Sequence, residues 1–263
     1  MISGRTRSLT GQFLASPAGL FTGRVLTVLV ILAGWQLASG PVLPAVWVST
    51  PWRIAAALVA LTLDGTLWFH LQATILAVSL GYAIGVAAGI VLGLALGLLP
   101  RVDQVSRPFI SGLWSLPKIA LLPLFVIIFG LGMASKVALV VSVVVFLVLY
   151  STVDGVRDVD PDLIDTLRIM GARRREITSK VLLPSALPWI YTGMRVSISY
   201  ALVTVVVGEL LSSNRGLGFL MESAAARFDA AQVFAGIVVL VVMSLGLTAV
   251  LTRLETHSLR WRR

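Results

Sequence analysis

Cysteine is absent from this 263-residue chain. Charge is scarce too: 13% of residues are Asp, Glu, Lys or Arg, where a water-soluble domain carries about a quarter. The missing thiols exclude a disulfide scaffold and any thiolate metal or redox centre. Acid is rarer than base, 12 residues against 21, giving a formal charge of +9 and a pI near 11.0. Of the three lysines, Lys118, Lys136 and Lys180, none follows a glycine, so the chain has no G-x-x-x-x-G-K-[ST] phosphate loop and cannot hydrolyse ATP by itself. The two histidines, His70 and His257, fall on opposite sides of the expected membrane and cannot share a metal. No Ser-His-acid grouping suggests an enzyme.

What is present is apolar: 57% hydrophobic residues and a mean hydropathy of +0.96. A nucleic-acid binder with this pI would gather its cations on a soluble face, and most of this chain is too apolar for that. Stretches without any charged residue cover 25–52, 65–100, 119–135, 137–153, 196–208 and 230–252. A helix crosses the hydrocarbon in about 20 residues, or 17 with snorkelling flanks. These stretches therefore predict an all-α polytopic membrane protein with about six spans. The first ends before Gly40-Pro41, and the fifth begins near Pro188. Arg5, Arg7 and Arg24 precede the first apolar run, and that leader is too long for a cleavable signal peptide, so the run is read as a retained span.

Charge counting orients the spans. With the N-terminus in the cytoplasm, sixteen cations lie inside: Arg5, Arg7, Arg24, Arg101, Arg107, Lys118, Arg157, Arg168, Arg173, Arg174, Arg175, Lys180, Arg253, Arg260, Arg262 and Arg263. Four lie outside, Arg53, Lys136, Arg215 and Arg227, while Arg195 sits within the fifth span. This bias predicts cytoplasmic termini and an even number of spans. Trp35, Trp47, Trp52 and Trp68 form an outer interfacial belt. In the second span Gly81, Gly85, Gly89, Gly93 and Gly97 recur every fourth residue, a stripe without bulk on which another helix can pack, within the chain or across a dimer.

The longest polar segment, 154–187, reads as structured. Asp160-Pro161 starts a helix, and Leu163, Ile164, Leu167 and Met170 recur at helical spacing. Gly171 makes a turn, and a second amphipathic stretch follows from Arg173 to Leu183. Two short helices meeting at a glycine, with Arg173, Arg174 and Arg175 beside the bend, make a projecting basic elbow fit to dock a soluble partner.

The residues Asp165, Thr166, Leu167, Arg168, Ile169, Met170 and Gly171, then nine more, then Val181, Leu182, Leu183 and Pro184, resemble the EAA loop of ABC importer permeases. The usual form of that loop is Glu-Ala-Ala, three residues, Gly, nine residues, then Ile-x-Leu-Pro. Asp165 keeps the acid, while Thr166 and Leu167 replace the alanines. Leu116 to Leu124, Phe129-Gly130-Leu131-Gly132, Ser135-Lys136, Gly208-Glu209-Leu210 and Arg215 to Phe219 are similar to the branch serving sulfonates, taurine, nitrate, bicarbonate and thiamine-pyrimidine precursors.

The resemblance implies a type I ABC importer permease fold occupying 1–263 as one transmembrane domain, set in the bacterial inner membrane. It implies a second permease copy as a homodimer partner, an extracytoplasmic solute-binding protein, and two cytoplasmic ATPase subunits that bind ATP and Mg; no cofactor is expected in this chain. The solute would be small and anionic. The elbow would couple to the ATPase through Asp165, Thr166, Gly171, Ala172, Arg173, Arg174, Arg175, Leu183 and Pro184. Gly216, Gly218 and Phe219 would belong to an outer gate helix within 216–229. Glu209, alone in apolar surroundings, reads either as a structural carboxylate capping the 215–218 turn or pairing with a cation, or as a gating group. Arg195, about 21 Å along the helix from Glu209, is expected to snorkel or to hold the coupling segment. The rival reading is a stand-alone secondary transporter or channel, which would call for several buried ionisable residues.

Overall fold

The computed structural model describes residues 17–39 and 44–259. The Gly40-Pro41 break and Arg5, Arg7, Arg260, Arg262 and Arg263 of the charge count lie outside the described residues. The described chain is helical: α1 Pro17–Ala38, α2 Ala45–Val48, α3 Pro51–Leu63, α4 Thr66–Leu98, α5 Pro100–Ser115, a 3-10 turn Lys118–Leu121, α6 Leu122–Phe129, α7 Met133–Arg157, α8 Pro161–Ile169, α9 Arg174–Ile177, a π-turn Thr178–Leu182, α10 Leu183–Ser212, α11 Leu217–Ala226 and α12 Ala230–Ser258. Local chemistry sets many ends. Thr50, Asp160 and Asp229 each accept a backbone N–H at a helix start, with Pro51 and Pro161 just inside two of them.

The core joins α4, α7 and α10 through Ala77, Val78, Val140, Val144, Val148, Ile198, Ala201 and Val205. The glycine stripe explains the contact between α4 and α7. Gly81, Gly85, Gly89, Gly93 and Gly97 face Val140, Val144, Val148, Thr152 and Val156 in turn, and a Cβ on any of the five would lie 2.6 to 2.8 Å from an α7 atom. Packing within the chain is thus the stripe's use, and the two helices approach almost backbone to backbone.

The register also fixes direction. Both sets of numbers rise together, so α4 and α7 run parallel. The chain between them must return across the bundle, and α5 with α6 makes that return, bent by 85°. Among the described residues five helices are long and apolar enough to span, and the bent pair, taken as one crossing, makes six. α10 runs antiparallel to α7, with Gly193 against Ser151 and Gly155 against Trp189. The most apolar stretch of α1 contains no buried residue, and Gln36 ties it to α3 by accepting the Trp52 N–H at 3.3 Å.

Two expectations change. The third crossing is not a straight span over 119–135. It starts at Pro100, breaks at Leu116-Pro117, where the proline forces its predecessor into an extended conformation, and ends at Phe129 before Gly130 and Gly132, both at positive φ. The fifth span does not begin near Pro188. Arg174–Ser212 is one continuous 39-residue helical rod that carries Pro184 in its first turn after the π-turn and Pro188 in its interior. The second arm of the elbow is therefore the start of a membrane helix.

Candidate functional site

The elbow projects from one end of the bundle. α8 closes on Gly171 at φ +87°, with the Gly171 N–H donating to Arg168 O and the Ala172 N–H to Leu167 O, the left-handed stop that glycine favours. The rod then restarts: Glu176 accepts the Arg173 N–H at 2.9 Å and is 3.5 Å from Lys180 Nζ. Asp165 pairs with Arg168 at 2.8 Å, and the Thr166 hydroxyl donates to Asp162 O at 2.8 Å. Arg173, Arg174 and Arg175 are exposed, as are Ile169 (88%) and Met170 (78%) at the tip. Arg174 reaches back to donate to Leu98 O at the end of α4, 3.2 Å away. Ala172, Leu183 and Pro184 are half-buried where the elbow meets the bundle. So the predicted coupling residues stand on one surface feature, with its apolar tip and basic flank facing outward.

At the opposite end Glu209 is fully buried and faces inward. Its Oε2 accepts the Gly218 N–H, and both its oxygens accept the Thr74 hydroxyl, each at 2.9 Å. The Thr74 hydroxyl oxygen in turn accepts the Leu217 N–H at 2.8 Å, and His70 Nδ1 accepts the Gly216 N–H at 3.1 Å. Three successive amides at the start of α11 are thus held by side chains of α4 and α10. These are the donors a helix leaves unsatisfied, and a carboxylate beside them suits the helix dipole. Lys136 Nζ lies 4.0 Å from Glu209 Oε1 and donates to Ser213 Oγ and Arg215 O. A Cβ on Gly216 would lie 2.1 Å from Glu209 Cδ, so the turn can close only on glycine. Phe219, next along α11, sets its ring 5.8 Å from that of His70.

Some placements differ from expectation. Lys136, counted as an outer loop cation, is 97% buried in the first turns of α7 beside Glu209. His70, read as isolated, completes the clamp, together with Thr74, which nothing in the sequence had singled out. A lone cation and a threonine inside otherwise apolar stretches were the available signals. Arg195 does not hold the coupling segment; it pairs with Glu255 of α12. Lys118, counted in an inner loop, lies at the bend of the third crossing, 5.0 Å from the Phe146 ring of α7. Trp35 packs edge-on against Phe234, while Trp47, Trp52 and Trp68 stay exposed as a belt requires.

Residues 85–263 match the family described as binding-protein-dependent transport system inner membrane component. The chain is 34% identical to the putative aliphatic sulfonates transport permease protein of Bacillus subtilis, over 89% of this chain and 85% of that one. It is 30% identical to the formylaminopyrimidine transport permease protein of Halalkalibacterium halodurans, over 90% and 95%. Among solved structures, an inward-facing conformation of the MetNI methionine ABC transporter matches with a TM-score of 0.59 at 19% identity, covering 75% of this chain and 97% of that one. That likeness fits the type I importer fold. The chain belongs to the inner-membrane permeases of binding-protein-dependent ABC importers, in the branch of the sulfonate and thiamine-pyrimidine permeases.

Proposed function

We propose that this chain forms the translocation pathway of an ATP-driven importer of a small anionic solute, working as a homodimer. Separate ATPase subunits would bind ATP and Mg and receive the elbow, and an extracytoplasmic binding protein would deliver the solute. The elbow end is then cytoplasmic, the Glu209 end is outer, and both termini lie in the cytoplasm. The anionic solute is supported by the name of the sulfonate relative.

The observation that carries this reading is the helical continuity of Arg174–Ser212, through its π-turn and past Pro184 and Pro188. At 1.5 Å per residue it reaches about 58 Å, so a push on the basic flank of the elbow travels along one helix to the residue that clamps the outer end. A flexible joint would absorb the same push. Reversing Arg173, Arg174 and Arg175 to Glu should leave the chain inserted and assembled but lower ATP-dependent uptake in proteoliposomes by more than tenfold, with ATP hydrolysis no longer stimulated by the loaded binding protein. Normal coupled uptake by that variant would refute the assignment.

A further inference from the structure

Neither the elbow nor the Glu209 clamp accounts for Lys118. Its Nζ lies 5.1 Å from the Trp114 ring and 5.0 Å from the Phe146 ring, and Phe146 is near the middle of the charge-free stretch 137–153 of α7. The ammonium donates to the carbonyls of Leu113, Trp114 and Leu116 at 2.7, 2.8 and 3.0 Å, closing the end of α5 at the 85° bend. These acceptors satisfy its hydrogens, but none carries a formal charge.

Several cations in the bundle have an acid beside them: Lys136 has Glu209, Arg107 and Arg157 share Asp103, and Arg195 has Glu255. Lys118 has no ion-pair partner among the described residues. Its neighbours Leu113, Trp114, Leu116 and Ile119 are all exposed, so this chain leaves that face uncovered. Carbonyl dipoles and ring faces ease this charge only in part, and a cation without a formal counter-charge level with the middle of α7 is costly against lipid and tolerable beside water or a passing anion.

The seam continues toward the elbow. Trp114 stacks edge-on with Tyr150 at 6.0 Å, and Tyr150, with Ser111, lines a cavity of about 290 Å³ that Asp103, Arg107 and Arg157 also border. A strip of aromatic and polar side chains therefore runs from an opening at the elbow end to Lys118.

We propose that this strip is a wall of the solute path and that Lys118 is its anion-selecting group. A small carboxylate or sulfonate would be drawn by the field of the ammonium, whose three hydrogens stay on the carbonyls, with its apolar portion against Trp114 and Phe146. The inference rests on the importer reading but is tested without the solute, the ATPase or the binding protein, so the two can fail separately.

The absence of cysteine makes the test clean. Ser115→Cys places the sole thiol of the chain on α5 next to the carbonyls that hold Lys118. Vesicles of both orientations are treated with an anionic reagent, 2-sulfonatoethyl methanethiosulfonate, and a cationic one, 2-(trimethylammonium)ethyl methanethiosulfonate, each rate being normalised to that with a free thiol. The anionic reagent should react roughly tenfold faster, as expected for a nearby unpaired cation in a medium less polar than water. Lys118→Gln should bring the ratio to about one, and Lys118→Arg should keep it. Should the Gln variant fail to insert, raising the salt concentration on the Lys118 protein must lower the ratio instead. A thiol at Leu245, on the exposed side of α12, serves as the lipid-facing control. Lack of reaction at Ser115→Cys in both orientations, or a ratio indifferent to both Lys118 and salt, overturns the proposal.

Discussion

At one end of the rod Arg174–Ser212, Glu209 is fully buried and its oxygens are bound by Thr74 and the Gly218 amide, with Lys136 close by. Beside its other end, on α8, Asp165 pairs only with Arg168, both side chains are about two-thirds exposed, and Ile169 and Met170 stand in the open. The two ends of the bundle carry similar side chains in opposite settings. Burial turns the Glu209 carboxylate into a fastener joining α4, α7, α10 and α11, because any partner removed there leaves a polar group in the dry interior. Exposure leaves the elbow nearly free of energetic obligations to its own chain, as a surface reserved for another protein would be.

Mutations can break that contrast. Glu209→Ala should cost most, about 3–5 kcal/mol, because it strands Lys136 without its acid and the Thr74 hydroxyl and Gly218 amide without their acceptor. Thermal unfolding of the purified permease in detergent reads this directly, and a loss under 1 kcal/mol would mean that the clamp is not structural. Next, Gly89→Val should lower stability by roughly 1–3 kcal/mol, since the new side chain would meet Val148 and the Val145 carbonyl at 2.8 Å. Gly34→Val, on a glycine with open space around it, is the matched control and should be near neutral in the same assay.

At the elbow the expected stability losses shrink while the functional losses do not. Gly171→Ala should cost about 1–2 kcal/mol, from left-handed strain alone, because no atom lies within 4 Å of the added methyl. Asp165→Asn should cost least, about 0.2–0.5 kcal/mol for an exposed pair one turn apart, within the error of most melts. If Asp165→Asn destabilised the isolated permease as much as Glu209→Ala, the elbow would be held by its own bundle, and its reading as a partner-facing surface would fail. A hydrogen-exchange comparison should likewise find 161–173 opening well before 205–218.

Much of this was legible in advance because it depends on one-dimensional quantities. Span number follows from the lengths of charge-free runs, the α8 cap from Asp160-Pro161, and the elbow turn from Gly171. The spacing from Asp165 to Pro184 identified the family on residues that stand on one surface feature. Glu209 stood out because a lone acid in an apolar stretch must find a partner. Its place against the 215–218 turn was legible too, whereas the α4 side of the clamp was not: Thr74 and His70 lie more than 130 positions from Glu209, and neither residue type is unusual where it sits.

The sequence by itself determined the solvent of this protein, the approximate number of its crossings and the location of its exposed elbow, since hydropathy, charge and helix-stop chemistry act locally along the chain. Tertiary structure decided which glycine meets which valine, that α4 and α7 run parallel so that the bent α5–α6 pair must cross back, and that the elbow continues into the fifth span as one rod. It also moved Lys136 and Lys118 from expected loops to a buried clamp and to an unpaired position beside the middle of α7, on a face this chain leaves uncovered. The depth of a charge depends on how a helix bends and what packs beside it, and neither is a property of the residues next to it in the chain.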